Sequence, residues 1–320
     1  MKASAFKKFL EQVAVLSKRQ REQLLQVLRS TVGLDRITEA IEQARPAPAC
    51  CSACGAARFH RHGRTHGLQR YRCLACGRTC TALTGTPLAG LRHREKWLDF
   101  LDSVLNSTTV RGAARSVGVH RNTSFRWRHR FLDVTKHDRP DTLTGIAEAD
   151  ELYLLESHKG SRKLLRPPRK HGRAATRRGI SDEQVCVLVA RDRTGQTFDF
   201  VTGLGPVTKR QLYQHLLPVL DKDVLLVSDS NAAYRYFARE TGISHQAVNL
   251  HAGERVRGAV HVQNVNAYHR RFREWLARFH GVATRYLPNY LGWRWALDGN
   301  RLDSPDALLR AAIGIFNTQR

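Results

Sequence analysis

Along the first thirty residues, Phe6, Phe9, Leu10, Val13, Leu16, Leu24, Leu25 and Leu28 recur at roughly helical spacing among Lys, Arg, Gln and Glu. This pattern predicts two short amphipathic helices between Phe6 and Leu28, parted near Ser17. The stretch Ala44-Arg45-Pro46-Ala47-Pro48 stops any helix and opens a cysteine-rich segment, which closes near Thr84-Gly85-Thr86-Pro87. Helical periodicity returns at Trp97, Leu98, Leu101, Val104 and Leu105, then from Val110 to Val117, and after Gly118 from His120 to Leu132. Three helices are expected there, with a tight turn before the last.

After Pro140 the period changes. Ile146 to Leu155 and Thr197 to Leu204 alternate, whereas Val185 to Ala190 and Val224 to Val227 are unbroken apolar runs, as buried strands require. Leu212 and Leu216 share one face of a helix expected over Lys209 to Leu217, with Pro218 just past its end. Further helices are expected at Ala232 to Thr241 and Val265 to Phe279, with a short strand at Gln246 to Val248 between them. The order strand, strand, strand, helix, strand, helix, strand, helix predicts an α/β domain on a mixed sheet. The boundaries read as an N-terminal helical segment (1–45), a small cysteine domain (46–88), a helical domain (92–140) and the α/β domain with C-terminal helices (145–320).

Composition narrows the partners. Across 320 residues, 53 Lys and Arg stand against 28 Asp and Glu, a net charge of +25, so a polyanion is the expected partner and nucleic acid comes ahead of an acidic membrane surface. With 42% hydrophobic residues the chain can bury a real core. It has no apolar run of about 18 residues, which excludes a membrane-spanning segment and implies a cytoplasmic protein.

Six of the seven cysteines crowd into one segment: Cys50, Cys51, Cys54, Cys73, Cys76 and Cys80. Cys51-x2-Cys54 and Cys73-x2-Cys76 form two knuckles of equal spacing, each followed by a glycine (Gly55, Gly77), and tetrahedral Zn²⁺ takes four thiolates at such spacing. Four thiolates close the coordination sphere, so a zinc ribbon held by Cys51, Cys54, Cys73 and Cys76 is structural. Cys186, alone in an apolar run, reads as a buried thiol.

Between Val110 and Arg130, Ala114 permits a close helix crossing, Gly118 supplies a turn, and Val119 fills the angle. This is the pattern of a helix-turn-helix, whose second helix offers Arg121, Asn122, Ser124, Arg126 and Arg128 to a major groove. The alternative is an ordinary basic helical hairpin. Between Lys159 and Arg178 there are nine Lys and Arg and no acid. Lys163, Arg169 and Lys170 in this loop read as phosphate-gripping, the alternative being a solvated insertion.

Three acids mark the first strand of the α/β domain. Glu148 and Asp150 share one face by alternation, and Glu151 follows. Asp229 closes the run Val224-Leu225-Leu226-Val227-Ser228, where a carboxylate at a strand's end is well placed to hold Mg²⁺ through hard oxygen ligands. The order zinc ribbon, helix-turn-helix, Ala149-Asp150-Glu151-Leu152-Tyr153, Val227-Ser228-Asp229 and His261-Val262-Gln263-Asn264-Val265-Asn266-Ala267-Tyr268-His269 resembles the zinc-ribbon DDE-type transposases of insertion-sequence family fifteen-ninety-five. The resemblance covers nearly the whole chain from Cys51 onward. It implies a ribonuclease-H-like catalytic domain, a fold the strand order also suggests.

By the same resemblance the first two catalytic aspartates are Asp150 and Asp229. The third position, commonly Glu, falls on Asn266, with His269 three residues on along the same helical face; the alternative for Asn266 is a capping or structural hydrogen bond. The implied cofactors are Mg²⁺ or Mn²⁺ at Asp150, Asp229 and Asn266. The implied partners are double-stranded DNA, as terminal inverted repeats and target, and further copies of the chain on that DNA in a bacterial cytoplasm, at the nucleoid. The activity implied is strand cleavage and strand transfer. The competing reading is a catalytically idle DNA-binding regulator derived from such an enzyme. Tyr286, Tyr290, Trp293 and Trp295 are expected either to stack on DNA or, more simply, to pack the last helices against the sheet.

Overall fold

The computed structural model describes residues 2–164, 167–169, 175–248 and 256–316. It divides into two compact units, residues 1–134 with 302–320, and residues 135–301.

The first unit begins with α1 (Ala3–Ala14), which buries no residue, and α2 (Lys18–Ala44). A capping box starts α2: Ser17 Oγ accepts the Gln20 N–H at 3.3 Å, and Gln20 Oε1 accepts the Ser17 N–H at 2.9 Å. The helix runs well past Leu28 because Ile37, Ala40 and Ile41 bury one side of it, and it ends where Arg45 precedes Pro46. A three-stranded antiparallel ribbon follows, β1 (Phe59–Thr65), β2 (Leu68–Cys73) and β3 (Thr79–Cys80). His66 and Gly67 make a two-residue turn between β1 and β2, both with positive φ.

Three helices, α3 (Trp97–Leu105), α4 (Val110–Val117) and α5 (Arg121–Thr135), close on Trp97, Phe100, Trp127 and Phe131. Trp97 meets Phe131, and Phe100 meets Trp127, edge to face at 5.2 Å. Thr109 caps α4, and a Cβ at Gly112 would lie 2.7 Å from Thr108 Cγ2, so a larger residue there would have to displace the Thr108 side chain. The last helix, α10 (Pro305–Ala312; the helices between α5 and it lie in the second unit), packs on α2 and α3 and pairs Asp306 with Arg36 at 2.7 Å. By these contacts it goes with the first unit, although the sequence pattern ran the α/β domain to residue 320.

The second unit is built on a five-stranded sheet of β4 (Ile146–Leu155), β5 (Gln184–Asp192), β6 (Thr197–Leu204), β7 (Leu225–Asp229) and β8 (Ser244–Val248), in spatial order β6-β5-β4-β7-β8. The first three strands run antiparallel; β7 and β8 run parallel to β4. An antiparallel meander of three strands extended by two parallel ones beside the first is the ribonuclease-H-like arrangement. One sheet face carries Ala147, Ala149, Cys186, Leu188 and Leu226 against Leu212, Leu216, Tyr234 and Phe237.

The helix expected over Lys209 to Leu217 is irregular. It opens as α6 (Lys209–Gln211), widens to a π turn over Leu212–Leu216, and tightens to a 3-10 turn at Leu217–Val219, where Pro218 cannot donate. Then come α7 (Ala232–Thr241), α8 (Gln263–Ala277) and α9 (Leu287–Asp298). Tyr290, Trp293 and Trp295 are buried, and Trp275 of α8 meets Trp293 edge to face at 4.9 Å. Tyr290, Trp293 and Trp295 are thus core, as the packing alternative expects, whereas Tyr286 is only half-buried. Among the described residues no helix is long and apolar enough to cross a membrane.

Candidate functional site

Strand pairing brings the two aspartates together. Ala149 of β4 lies in register with Ser228 of β7, so Asp150 and Asp229 occupy the next step on adjacent strands. Alternation puts both on the sheet face opposite the Ala147 and Ala149 core, and α8 packs against β4 and β5. Asp150 Oδ1 accepts the Glu151 N–H at 2.9 Å. Burial pushes the Asp150 carboxyl up to about 6; the Glu151 N–H and Arg273 oppose the rise and the charge of Asp229 adds to it. Asp229 Oδ1 accepts the Asn231 N–H at 3.0 Å, and Asn231 in turn caps α7.

α8 supplies the other two candidates. His269 is buried, with Nδ1 3.8 Å from Asp150 Oδ2 and Nε2 lacking a hydrogen-bond partner among the described residues. Burial, with Arg273 adding, lowers the imidazole to about 4, so it is neutral at pH 7 and retains a lone pair. Asn266, one turn earlier, is exposed, and its side-chain amide makes no hydrogen bond among the described residues. The structural amide is Asn264 instead, whose Nδ2 donates to Glu148 Oε1 at 2.9 Å. Asp150 and Asp229 offer the hard oxygen donors that a divalent cation takes; the His269 nitrogen nearest to them is Nδ1, and the ligand atoms of these three residues do not all lie within 4.8 Å of one another. Glu151 faces the other way, toward Tyr153 and Tyr234, and burial pushes its carboxyl up to about 7.

Only some of the α5 residues expected to face a major groove are exposed. Gly118 adopts a left-handed φ of 65° and ends α4, while Arg121, Asn122 and Arg126 are exposed on α5. Ser124 and Arg128 correct the sequence reading: both are fully buried. The Ser124 hydroxyl donates to the Val110 carbonyl at 3.0 Å, and the Arg128 guanidinium donates to the Thr108 carbonyl. They fasten α5 to the start of α4. Arg128→Ala is expected to cost about 1–3 kcal/mol of stability by leaving a buried carbonyl without its donor. Urea denaturation checks this.

The basic loop divides similarly. Lys163 is exposed, but Arg169 turns inward, donating to the Glu156 carbonyl at 2.8 Å and pairing with Glu183 at 3.3 Å. The Thr176 hydroxyl and Arg169 help hold the Glu183 carboxyl down at about 2. Arg169 is therefore a clasp for the base of the loop rather than a free phosphate contact. Lys170 lies outside the described residues.

In the ribbon, the Sγ atoms of Cys51, Cys54, Cys73 and Cys76 all lie within 4.8 Å of one another. Backbone N–H groups at Ala53 and Cys54 lower the Cys51 thiol to about 6, and the N–H groups of Cys76 and Ala75 lower Cys73, whereas Cys54 is pushed up to about 12, the neighbouring thiols and burial outweighing the Ala56 N–H; one sulfur of each knuckle is thus held as thiolate ahead of the others. This cluster can hold a metal ion. Cys50 and Cys80 stand outside it. Among the described residues it is the one group of three or more His, Cys, Asp and Glu whose ligand atoms converge in this way.

Residues 142–295, which include Asp150, Asp229, Asn266 and His269, match the family model of the ISXO2-like transposase domain. This segment is an ISXO2-like transposase domain. A relative encoded in transposable element ISH50 of Halobacterium salinarum, itself uncharacterized, is 28% identical over 245 residues, covering 75% of this chain and 82% of the relative. Among solved structures, a pre-cleavage Mos1 transpososome aligns over 62% of this chain and 77% of its own at 14% identity, with a TM-score of 0.22. The Mos1 strand transfer complex aligns over 66% and 78% at 15% identity, with a TM-score of 0.21.

The transposase domain also holds a buried carboxylate whose role the sequence pattern did not disclose. Glu148 is fully buried on β4; besides Asn264 it accepts the Val265 N–H at 2.9 Å, pairs with Arg193 at 2.6 Å and has His261 at 3.3 Å. Alternation had placed Glu148 beside Asp150, but Arg193 sits in a turn after β5 and no local pattern links it to that strand.

Proposed function

We propose that the chain is an active DDE-type insertion-sequence transposase. It binds terminal inverted repeats and uses divalent ions to cleave one strand and transfer the exposed 3′-hydroxyl to target DNA. The supporting observation is the in-register placement of Asp150 and Asp229 at adjacent strand positions, with His269 of α8 against Asp150. Asp150, Asp229 and Asn266 would hold Mg²⁺ or Mn²⁺, which when bound supplies charge neutralisation at the phosphodiester and an activated attacking oxygen. Asp150 contributes a carboxylate that the charge of Asp229 already disfavours, so a cation there relieves a repulsion. Asn266 contributes one uncharged oxygen, and His269, neutral, either completes the ligand set or orients Asp150. The decisive assay is strand transfer with terminal inverted repeats in Mg²⁺ or Mn²⁺. Because two element ends must meet, the chain acts as at least a dimer on DNA. Asn266, an amide where the family commonly has Glu, favours the second reading, a catalytically idle DNA-binding regulator; absence of cleavage with retained terminal binding selects it.

For recognition, α5 reads base edges through Arg121, Asn122 and Arg126. Replacing any of them with Ala is expected to lower the preference for terminal over random DNA by about 5- to 200-fold, the 1–3 kcal/mol of a good base contact. Lys163→Ala should weaken binding to both DNAs alike and flatten the salt dependence. Fluorescence anisotropy on both duplexes separates the two; equal losses for both sets of variants would remove these assignments.

Structural Zn²⁺ is assigned to Cys51, Cys54, Cys73 and Cys76. Purified protein should carry one zinc per chain, Cys50→Ser and Cys80→Ser should keep it, and Cys73→Ser should lose it. Metal analysis that shows zinc lost with Cys80→Ser would move a ligand to that position.

A further inference from the structure

The first unit contains a pocket of about 600 Å³ that the transposition chemistry does not use. It lies among α2, the β1–β2 turn and the loop ahead of α3, all within that unit. Its apolar wall is Leu34, Leu83 and Leu91; its polar side is His66, Arg92, His93 and Arg94. Arg94 is the unusual member. It is only 9% exposed, its Nη1 is buried without a hydrogen-bond partner, and no ion pair engages its guanidinium among the described residues.

An N–H of a charged guanidinium that is cut off from water and has no acceptor is unfavourable, and Arg94 holds one such group at Nη1. Burial accordingly lowers the Arg94 pKa, with the neighbouring Glu95 partly offsetting it, yet arginine stays charged in proteins. The pocket's carboxylate, Glu95, is turned to His93, 3.3 Å from its Nδ1. The sequence has no other acid between Glu42 and Glu95. Arg92, exposed at the rim, adds a second positive charge.

We infer that this pocket binds a nucleotide unit, its phosphate held by Arg94 and Arg92 and its sugar and base lying along Leu34, Leu83 and Leu91. The planar guanidinium fork matches phosphate with two parallel hydrogen bonds. An inorganic phosphate alone leaves most of the volume and the whole leucine wall unused, whereas the volume lies within the usual range for small organic ligands. The nucleotide is either free or part of a DNA strand. The pocket belongs to the first unit and Asp150 and Asp229 to the second, and the inference does not rest on the transposase reading.

Isothermal titration of the zinc-loaded full chain at near-physiological salt tests it with three probes: dAMP, inorganic phosphate and deoxyadenosine. The expected order is dAMP tighter than phosphate, with no binding of deoxyadenosine. Arg94→Gln should weaken dAMP at least tenfold, while Lys222→Gln, which removes the same charge from the other unit, and Asp150→Asn should bind dAMP as wild type does. Displacement of dAMP by a 5′-phosphorylated six-nucleotide strand assigns the site to DNA; failure to displace it assigns a free nucleotide. The inference is overturned if the wild type does not bind dAMP, if deoxyadenosine binds equally well, or if Arg94→Gln binds like wild type. Should Arg94→Gln lose its zinc or its helical circular dichroism, Arg92→Gln decides: weaker dAMP binding at unchanged melting temperature upholds the site, and unchanged binding removes it.

Discussion

Asp150→Asn and Asp229→Asn are each expected to abolish strand cleavage, a fall of at least about 10²–10³-fold, while leaving binding of terminal-repeat DNA nearly intact. The size follows from the position of the two groups. They sit one step beyond a register pair on adjacent strands, so each variant removes half of the negative charge available to a cation there. Binding should survive because Arg121, Asn122 and Arg126, the residues proposed for recognition, lie on α5, in the other unit. Asn266→Ala should shift the metal requirement to higher concentration, and Asn266→Glu should lower it, since a neutral oxygen is replaced by a charged one. If Asn266→Ala cleaves like wild type and His269→Ala does not, the third position belongs to His269. If neither aspartate variant changes cleavage, the enzyme reading fails.

What could be read from the sequence, and what could not, follows the range of the interactions. Alternation in Ile146–Leu155 correctly separated the Glu148 and Asp150 face from the Ala147 and Ala149 face, because a strand's period is a local property. The four converging cysteines were legible for the same reason: each pair is set by one tight turn. Ser124, Arg128 and Arg169 were not. Polar residues on a predicted helix or in a charged loop read as solvent-facing, and only distant backbone carbonyls at Val110, Thr108 and Glu156 turn them inward. The extension of α2 to Ala44 was missed because its exposed apolar stripe fades after Val32, and Ile37 and Ile41 find their cover only in the folded unit. The His269 environment was legible as a helical neighbour of Asn266, but not as a buried imbalance, with one nitrogen near Asp150 and the other unpartnered.

Glu148→Ala should be the most destabilising single change in the transposase domain outside its hydrophobic core, costing about 3–5 kcal/mol, the usual penalty for breaking a buried ion pair from one side. Its carboxylate takes charge from Arg193, a side-chain N–H from Asn264 and a main-chain N–H from Val265 in the first turn of α8. A negative group at that end also complements the helix dipole. Removing it leaves Arg193 and the helix start without their acceptor, although Arg193 retains the Ala259 carbonyl at 2.6 Å. Glu148→Gln keeps the shape and one acceptor oxygen, so its cost should be smaller. Arg193→Gln should cost less than Glu148→Ala, because the carboxylate still receives N–H groups from α8. Since α8 carries Asn266 and His269, loosening its first turn should also slow cleavage at saturating metal without altering the preference for terminal DNA. Chemical denaturation of the three variants, alongside cleavage rates, tests the clamp. A Glu148→Ala protein within about 1 kcal/mol of wild type would show that α8 is held by Val265, Tyr268, Phe272 and Trp275 alone, and that the buried carboxylate is dispensable for placing the site.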